Sequence, residues 1–338
     1  MELKKIFIFC WLIFTLFSTS AYSSPPKNCR PGTTCTDTII WQGVPRTFSY
    51  YLPQSYTDLL RYHNLVVALH GAGSTGPGLE NTILQGSFDK LANHTRTIVA
   101  YPDAKDGAWN DGSESTSANI DDVGFIRSLL KYFIDNYHVN PNRLYVIGMS
   151  SGGMMAYRLA CESADMITAI ATVAASMPPS LQQTCKPTRH ISVLMINGTR
   201  DPMMPWNGHE ILSVTGDKRG DKLSVPETFR AWLQINHIDT ALHQEPYATP
   251  SYDGTWAWTA SAKGFDGTDV ILYTVYGGGH AWPGGAQYLP TQYIGKTSNN
   301  MDGTKIVWQF LISHRLVQPN TTQRTSGPQL GLVPYSKK

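Results

Sequence analysis

Leu144-Tyr-Val-Ile-Gly-Met-Ser-Ser-Gly-Gly-Met-Met-Ala-Tyr-Arg-Leu-Ala160 changes character at its centre. Leu144 to Ile147 is a short apolar run of the buried-strand type, and the residues after Ser151 predict a helix. Between them Gly148, Ser150 and Gly152 stand in G-x-S-x-G register. The pentapeptide alone is a weak signal and also suits a tight turn with an exposed serine; the strand-turn-helix setting strengthens it. A serine held on so sharp a turn has a strained backbone, and the positions two before and two after must be small to avoid collision. Ser150 meets that condition, whereas Ser151 has Met149 two residues before it.

Outward from this segment, apolar β-rich runs alternate with helical patterns. Strands are predicted over Thr47–Leu52, Leu65–Leu69, Ile98–Tyr101, Leu144–Ile147, Ile167–Val173, Val193–Ile196 and Val270–Val275. Helices are predicted from Asp121 to Tyr137, from Ser224 onward, where Ser224 and Glu227 have capping-box spacing, and from about Asp302 to Leu316. This alternation predicts an α/β protein with a mostly parallel, twisted sheet and helices on both faces.

A serine hydroxyl is a poor nucleophile at neutral pH, so Ser150 needs a base and a group to orient that base. The strand ending at Ile196 runs into Asn197-Gly-Thr-Arg-Asp-Pro, placing Asp201 just past its carboxyl end. The strand ending at Val275 runs into Tyr276-Gly-Gly-Gly-His, placing His280 in a glycine-rich loop. The order Ser150, Asp201, His280 is that in which the α/β-hydrolase fold lays out nucleophile, acid and base. Acyl transfer also needs donors for an oxyanion. Leu65-Val-Val-Ala-Leu-His-Gly-Ala-Gly is a strand ending in a His-Gly turn, so the amides of Ala72 and Ser151 are the expected pair, with Gly71 a nearby alternative. His70 is expected to brace the turn. Trp109, Trp206 and Trp282 fall near loops at the same edge and are candidate substrate-stacking faces.

Composition bounds the alternatives. Of 338 residues, 41% are apolar and 15% charged, with 27 basic against 25 acidic side chains. That balance argues against a nucleic-acid or polybasic membrane binder. The glycines at 71, 73, 76 and 78 match neither a dinucleotide fingerprint nor a phosphate loop. Residues 1–23, with Lys4 and Lys5 ahead of an apolar run of about a dozen residues and small residues at Ala21 and Ser23, have signal-peptide grammar. A catalytic domain over 24–318, a loose tail over 319–338, and an extracellular or periplasmic location without a stable membrane anchor are therefore expected. Beyond Cys10 four cysteines remain, Cys29, Cys35, Cys161 and Cys185. Their even number favours two disulfides, with the short-loop pairings Cys29–Cys35 and Cys161–Cys185 preferred among three possibilities. No CxxC or zinc framework is present, and no metal or organic cofactor is implied.

The blocks Leu69-His-Gly-Ala-Gly, Tyr101-Pro-Asp-Ala, Asp121-Asp-Val-Gly-Phe-Ile, Gly148-Met-Ser-Ser-Gly-Gly-Met-Met-Ala-Tyr-Arg-Leu-Ala-Cys, Asn197-Gly-Thr-Arg-Asp-Pro and Gly279-His-Ala-Trp-Pro-Gly-Gly together resemble secreted α/β-hydrolase esterases grouped as poly(3-hydroxybutyrate) depolymerases and feruloyl esterases. The resemblance covers residues 65 to about 315. It implies the triad Ser150, Asp201 and His280, supports the Cys161–Cys185 bridge, and implies an ester substrate; no nucleic-acid or obligate protein partner is expected. The large polymer depolymerases of that family carry a linker and an adsorption domain absent from this chain, so crystalline polyester is expected to be a poor substrate. Rival expectations are a hydroxycinnamoyl esterase, a serine peptidase of the same fold, and a non-catalytic polymer-binding module on a hydrolase scaffold.

Overall fold

In the computed structural model, residues 29–56, 62–113, 119–212, 218–250 and 253–316 are described. The expected leader and C-terminal tail lie outside these residues. Within them twelve strands occur: β1 (Thr34–Trp41), β2 (Val44–Tyr51), β3 (His63–Leu69), β4 (Thr97–Pro102), β5 (Val139–Met149), β6 (Ala169–Val173), β7 (Ser192–Gly198), β8 (His209–Leu212), β9 (Lys218–Lys222), β10 (His243–Ala248), β11 (Trp256–Lys263) and β12 (Asp269–Tyr276). Ten form one sheet in the order β1-β2-β4-β3-β5-β6-β7-β12-β11-β10, and β8 pairs with β9 apart from it. The six strands from β4 to β12 in that order run parallel, and antiparallel strands flank them on both sides.

Alternation of side chains along the central strands explains why those strands read as continuous apolar runs. Leu65, Val67 and Leu69 face one core with the helices Asp122–Asn136, Ser151–Glu162 and Val225–Ile235. Val66 and Ala68 face the other, with Ser87–Thr95 and Gly303–Ser313. Both faces are covered by helices, so the few buried polar residues of these strands, such as Thr172 and Asn197, are exceptions in largely apolar runs.

Local signals set the helix ends. Asp121 caps the first long helix by accepting from the amide of Gly124, and Asp302 caps the last through Lys305. Ser224 and Glu227 form the reciprocal capping box. Both disulfides, Cys29–Cys35 and Cys161–Cys185, are present. The second ties the end of the helix after Ser150 to the chain 24 residues on, closing a loop worth roughly 3 kcal/mol on chain-entropy grounds. β1, β10 and β11 were not among the predicted strands. β1 pairs with β2 across Gln42-Gly43, both with positive φ (49° and 78°), a two-residue hairpin turn.

Candidate active site

Ser150 sits between β5 and the helix Ser151–Glu162 with φ 57° and ψ −125°, a conformation that is strained for any residue with a Cβ. The turn is held from both sides: the Ser150 amide donates to Val173 O at 3.0 Å, and Ser150 O accepts from the Met154 amide at 3.0 Å. The flanking glycines are obligatory here. A Cβ on Gly148 would lie 2.1 Å from Gly152 O, and one on Gly152 would lie 2.2 Å from Leu69 O.

Asp201 follows β7 on a loop anchored by two bonds, the Thr199 amide to Val275 O and the Arg200 amide to Gly278 O. Its carboxylate is buried. Oδ1 accepts from the amides of Met203 at 2.8 Å and Met204 at 2.7 Å, and Oδ2 lies 2.8 Å from His280 Nδ1. With Oδ1 committed to two amides, Oδ2 is the oxygen left to receive the imidazole proton. His280 follows β12 after three glycines. Gly279 packs so closely that a Cβ would stand 2.1 Å from Ile294 O. The His280 amide donates to Ile294 O at 2.5 Å, and its carbonyl accepts from the Tyr288 hydroxyl at 2.9 Å. Burial, with the nearby Asp201 charge, raises the Tyr288 phenol and keeps it a donor.

Ser150 and His280 line one cavity of about 330 Å³, together with Gly71, Ala72 and Gly73 of the turn after β3. Its remaining walls are Gly78 and the apolar Leu79, Ile83, Met149, Met203 and Leu289, with Ser74, Thr82 and Tyr288 as polar members. Leu79 to Ile83 form a single π-helical turn. Ser151, first residue of its helix, has an amide with no intrahelical acceptor, and Gly71 approaches the nucleophile so closely that its Cβ would lie 3.3 Å from Ser150 Cβ. The His-Gly turn and the helix start are thus brought to Ser150.

The three tryptophans are a correction to the sequence reading, for none lines the cavity. Trp109 is 1% exposed, its Nε1 donating to His70 O at 2.9 Å. Trp282 is fully buried, its Nε1 donating to Thr304 Oγ1 at 3.0 Å and its ring edge-on to Phe88. Trp206 is partly buried against the core, its carbonyl accepting from the Val225 amide at 3.0 Å. A large indole with its one donor satisfied gains most by burial, so position near a loop did not mean exposure. The cavity walls Leu79, Ile83, Met203, Tyr288 and Leu289 were not singled out from sequence. Leu79 and Ile83 at i, i+4 were the one available cue.

Among the described residues no group of three or more His, Cys, Asp or Glu could hold a metal ion, and no helix is long and apolar enough to cross a membrane.

A protein-family model described as a putative esterase matches residues 42–259. The chain belongs to this esterase family. As a member it is a carboxylic ester hydrolase. The putative esterase NocK of Nocardia uniformis subsp. tsuyamanensis is 29% identical over 300 residues, covering 85% of this esterase and 86% of NocK. Feruloyl esterase B of Piromyces equi is 32% identical over 198 residues, covering 57% of this esterase and 35% of that protein. Among solved structures, acetyl xylan esterase from Aspergillus awamori superimposes with a TM-score of 0.51 at 17% identity, covering 73% of this esterase and 94% of that chain. That likeness bears on the fold, which is the α/β-hydrolase fold.

Proposed function

We propose that this esterase is a secreted serine hydrolase working through a covalent acyl-enzyme. The observation that carries the reading is the linkage of Asp201 to His280 Nδ1 at 2.8 Å in an imidazole whose residue lines the same cavity as the strained Ser150. His280 Nε2 takes the proton of Ser150 Oγ as that oxygen bonds to the ester carbonyl carbon. The carbonyl electron pair moves onto oxygen, where the amides of Ala72 and Ser151 receive the charge. The pair returns, the C–O bond to the alcohol breaks, and His280 Nε2 gives its proton to the departing oxygen. Water then repeats the sequence on the acyl-enzyme, releasing the acid and restoring Ser150. Asp201 holds the imidazole with its proton on Nδ1 and stabilises the charged ring.

Two disulfides and the apolar N-terminal run support export. For the substrate, the aliphatic and thioether walls of a cavity of about 330 Å³ suit a short aliphatic hydroxyacyl ester such as a 3-hydroxybutyrate oligomer. A hydroxycinnamoyl ester is the second reading, favoured by the similarity to feruloyl esterase B.

Ser150→Ala is the test of mechanism: it is expected to fold as the wild type and to hydrolyse a short-chain p-nitrophenyl ester at background rate, and to escape labelling by a fluorophosphonate. Retained turnover would overturn the assignment of Ser150. Parallel assays on 3-hydroxybutyrate oligomers and methyl ferulate decide the acyl group.

A further inference from the structure

His70 occupies the last point before the turn that reaches Ser150, and it is buried. Its hydrogen bonds determine its proton. The Ala104 amide can only donate, and it points at His70 Nε2 at 3.0 Å, so that nitrogen is an unprotonated acceptor. The one ring proton of the neutral imidazole is then on Nδ1, which lies 2.8 Å from Gly71 O. Burial lowers the basicity of the ring, in keeping with the neutral form. Both neighbours of this ring are fixed in turn. The Ala104 segment is held where the Asp103 amide donates to Thr47 O at 3.0 Å and Asp103 Oδ1 accepts from the Gly76 amide at 2.8 Å. Trp109 lies beside the imidazole, 5.2 Å between ring centres, and its Nε1 holds the His70 carbonyl.

The consequence concerns the peptide unit joining Gly71 to Ala72. No described peptide is cis, and in a trans peptide the carbonyl and the N–H point in opposite directions. A carbonyl drawn toward His70 Nδ1 turns the Ala72 N–H the other way. Ala72 lines the cavity with Ser150, and among the described residues no protein acceptor is recorded for its amide. Resting on the acyl-enzyme reading above, we propose that His70 is a positioning residue for ester hydrolysis. Its Nδ1–H sets the rotation of the Gly71–Ala72 peptide so that the Ala72 amide meets the oxyanion. The Ser74 amide also donates to Gly71 O, at 3.2 Å. That bond closes the turn, and the imidazole supplies the shorter one that fixes its orientation.

Two amide side chains separate the two ring nitrogens. An asparagine nitrogen falls near the place of Nδ1, and the end of a glutamine falls near that of Nε2. His70→Asn therefore keeps a donor to Gly71 O, and His70→Gln keeps an acceptor for the Ala104 amide alone. His70→Gln is expected to lower kcat about 10- to 100-fold with KM changed less than about threefold, somewhat less than the loss on removing an oxyanion donor outright. It should weaken an alkyl boronic acid, which mimics the tetrahedral state, by a similar factor while leaving product inhibition near the wild-type value. His70→Asn is expected to stay within about fivefold of wild type in kcat. The inference is overturned if His70→Gln keeps wild-type kcat and boronate affinity. It is equally overturned if both variants lose activity alike, or lose it only in step with thermal stability, since simple bracing of the turn predicts that. Failure of the underlying reading is distinguishable, because then the wild-type enzyme itself would resist fluorophosphonate labelling and Ser150→Ala would stay active.

Discussion

His70 and His280 are both buried, both neighbours of one cavity, and both bonded through Nδ1 at 2.8 Å. They differ in what the other nitrogen does. His70 Nε2 is occupied by a backbone amide from a residue 34 positions away. For His280 Nε2 no protein partner is recorded among the described residues, while Nδ1 is held by a carboxylate. An imidazole with both nitrogens engaged by fixed backbone groups cannot exchange a proton without breaking a bond and serves to hold geometry. An imidazole with one nitrogen held and the other toward a cavity can cycle its proton. Residue type and burial are alike; the partner set decides the role.

The strongest way to break this contrast is to remove each ring. On the proposed reading His280→Ala loses about 10⁴-fold or more in kcat, measured on a p-nitrophenyl ester, against the 10- to 100-fold expected for His70→Gln. Comparable losses would mean that the two rings do not divide the work as drawn. Asp201→Asn sharpens the point at the same cavity. Two amides demand an oxygen at the Oδ1 place, so the new NH₂ must face His280 Nδ1. The ring is then driven to carry its proton on Nε2, where it cannot accept one from Ser150. A loss of about 10³- to 10⁴-fold in kcat is expected with folding intact by circular dichroism.

Smaller effects concern stability. Because burial keeps His70 neutral below its ordinary range, the unfolded chain takes up a proton that the folded chain resists. The stabilisation is therefore present above the unfolded value near 6.5 and is lost as pH falls below it. Urea melts from pH 7 down to 5 should show wild type losing more stability than His70→Asn over that interval. Asp89, which bonds Tyr101, gives the opposite slope. Burial, then the charge of Glu80, raises it from 3.8 to about 7. The folded chain then holds a proton that the unfolded chain has released, and stability falls as pH rises from about 4 to 7. Asp89→Asn keeps an oxygen that can accept from Tyr101. It should stabilise by roughly 1 to 3 kcal/mol at pH 8 and little at pH 4, with kcat unaltered. A change in kcat would show that burial of charge, and not the partner set of a ring, tunes the site.

Legibility in the sequence followed how local each cause was. β3, β5, β6 and β7 were readable because both faces of each are buried, leaving largely apolar runs. β1 mixes Thr and Asp with half-exposed positions, and β10 is almost wholly exposed and contains Pro246; their pairing comes from neighbours across the sheet rather than from their own pattern. β11 alternates but carries small and polar residues that gave its apolar face little weight. Trp109 and Trp282 were misjudged for a related reason. Their burial depends on His70 O and Thr304 Oγ1, partners contributed by other elements of the chain.

By itself the sequence determined the α/β alternation, the helix caps and the requirement for glycine two places either side of Ser150. These follow from periodicity and from contacts within a turn, which act between near neighbours. Only the tertiary structure decided which nitrogen of each histidine is occupied, which residues wall the cavity, and which peptide faces the nucleophile. Those depend on groups distant in sequence, such as Asp201 and His280, 79 residues apart along the chain, and the geometry of a hydrogen bond of that span exists only once the sheet has assembled.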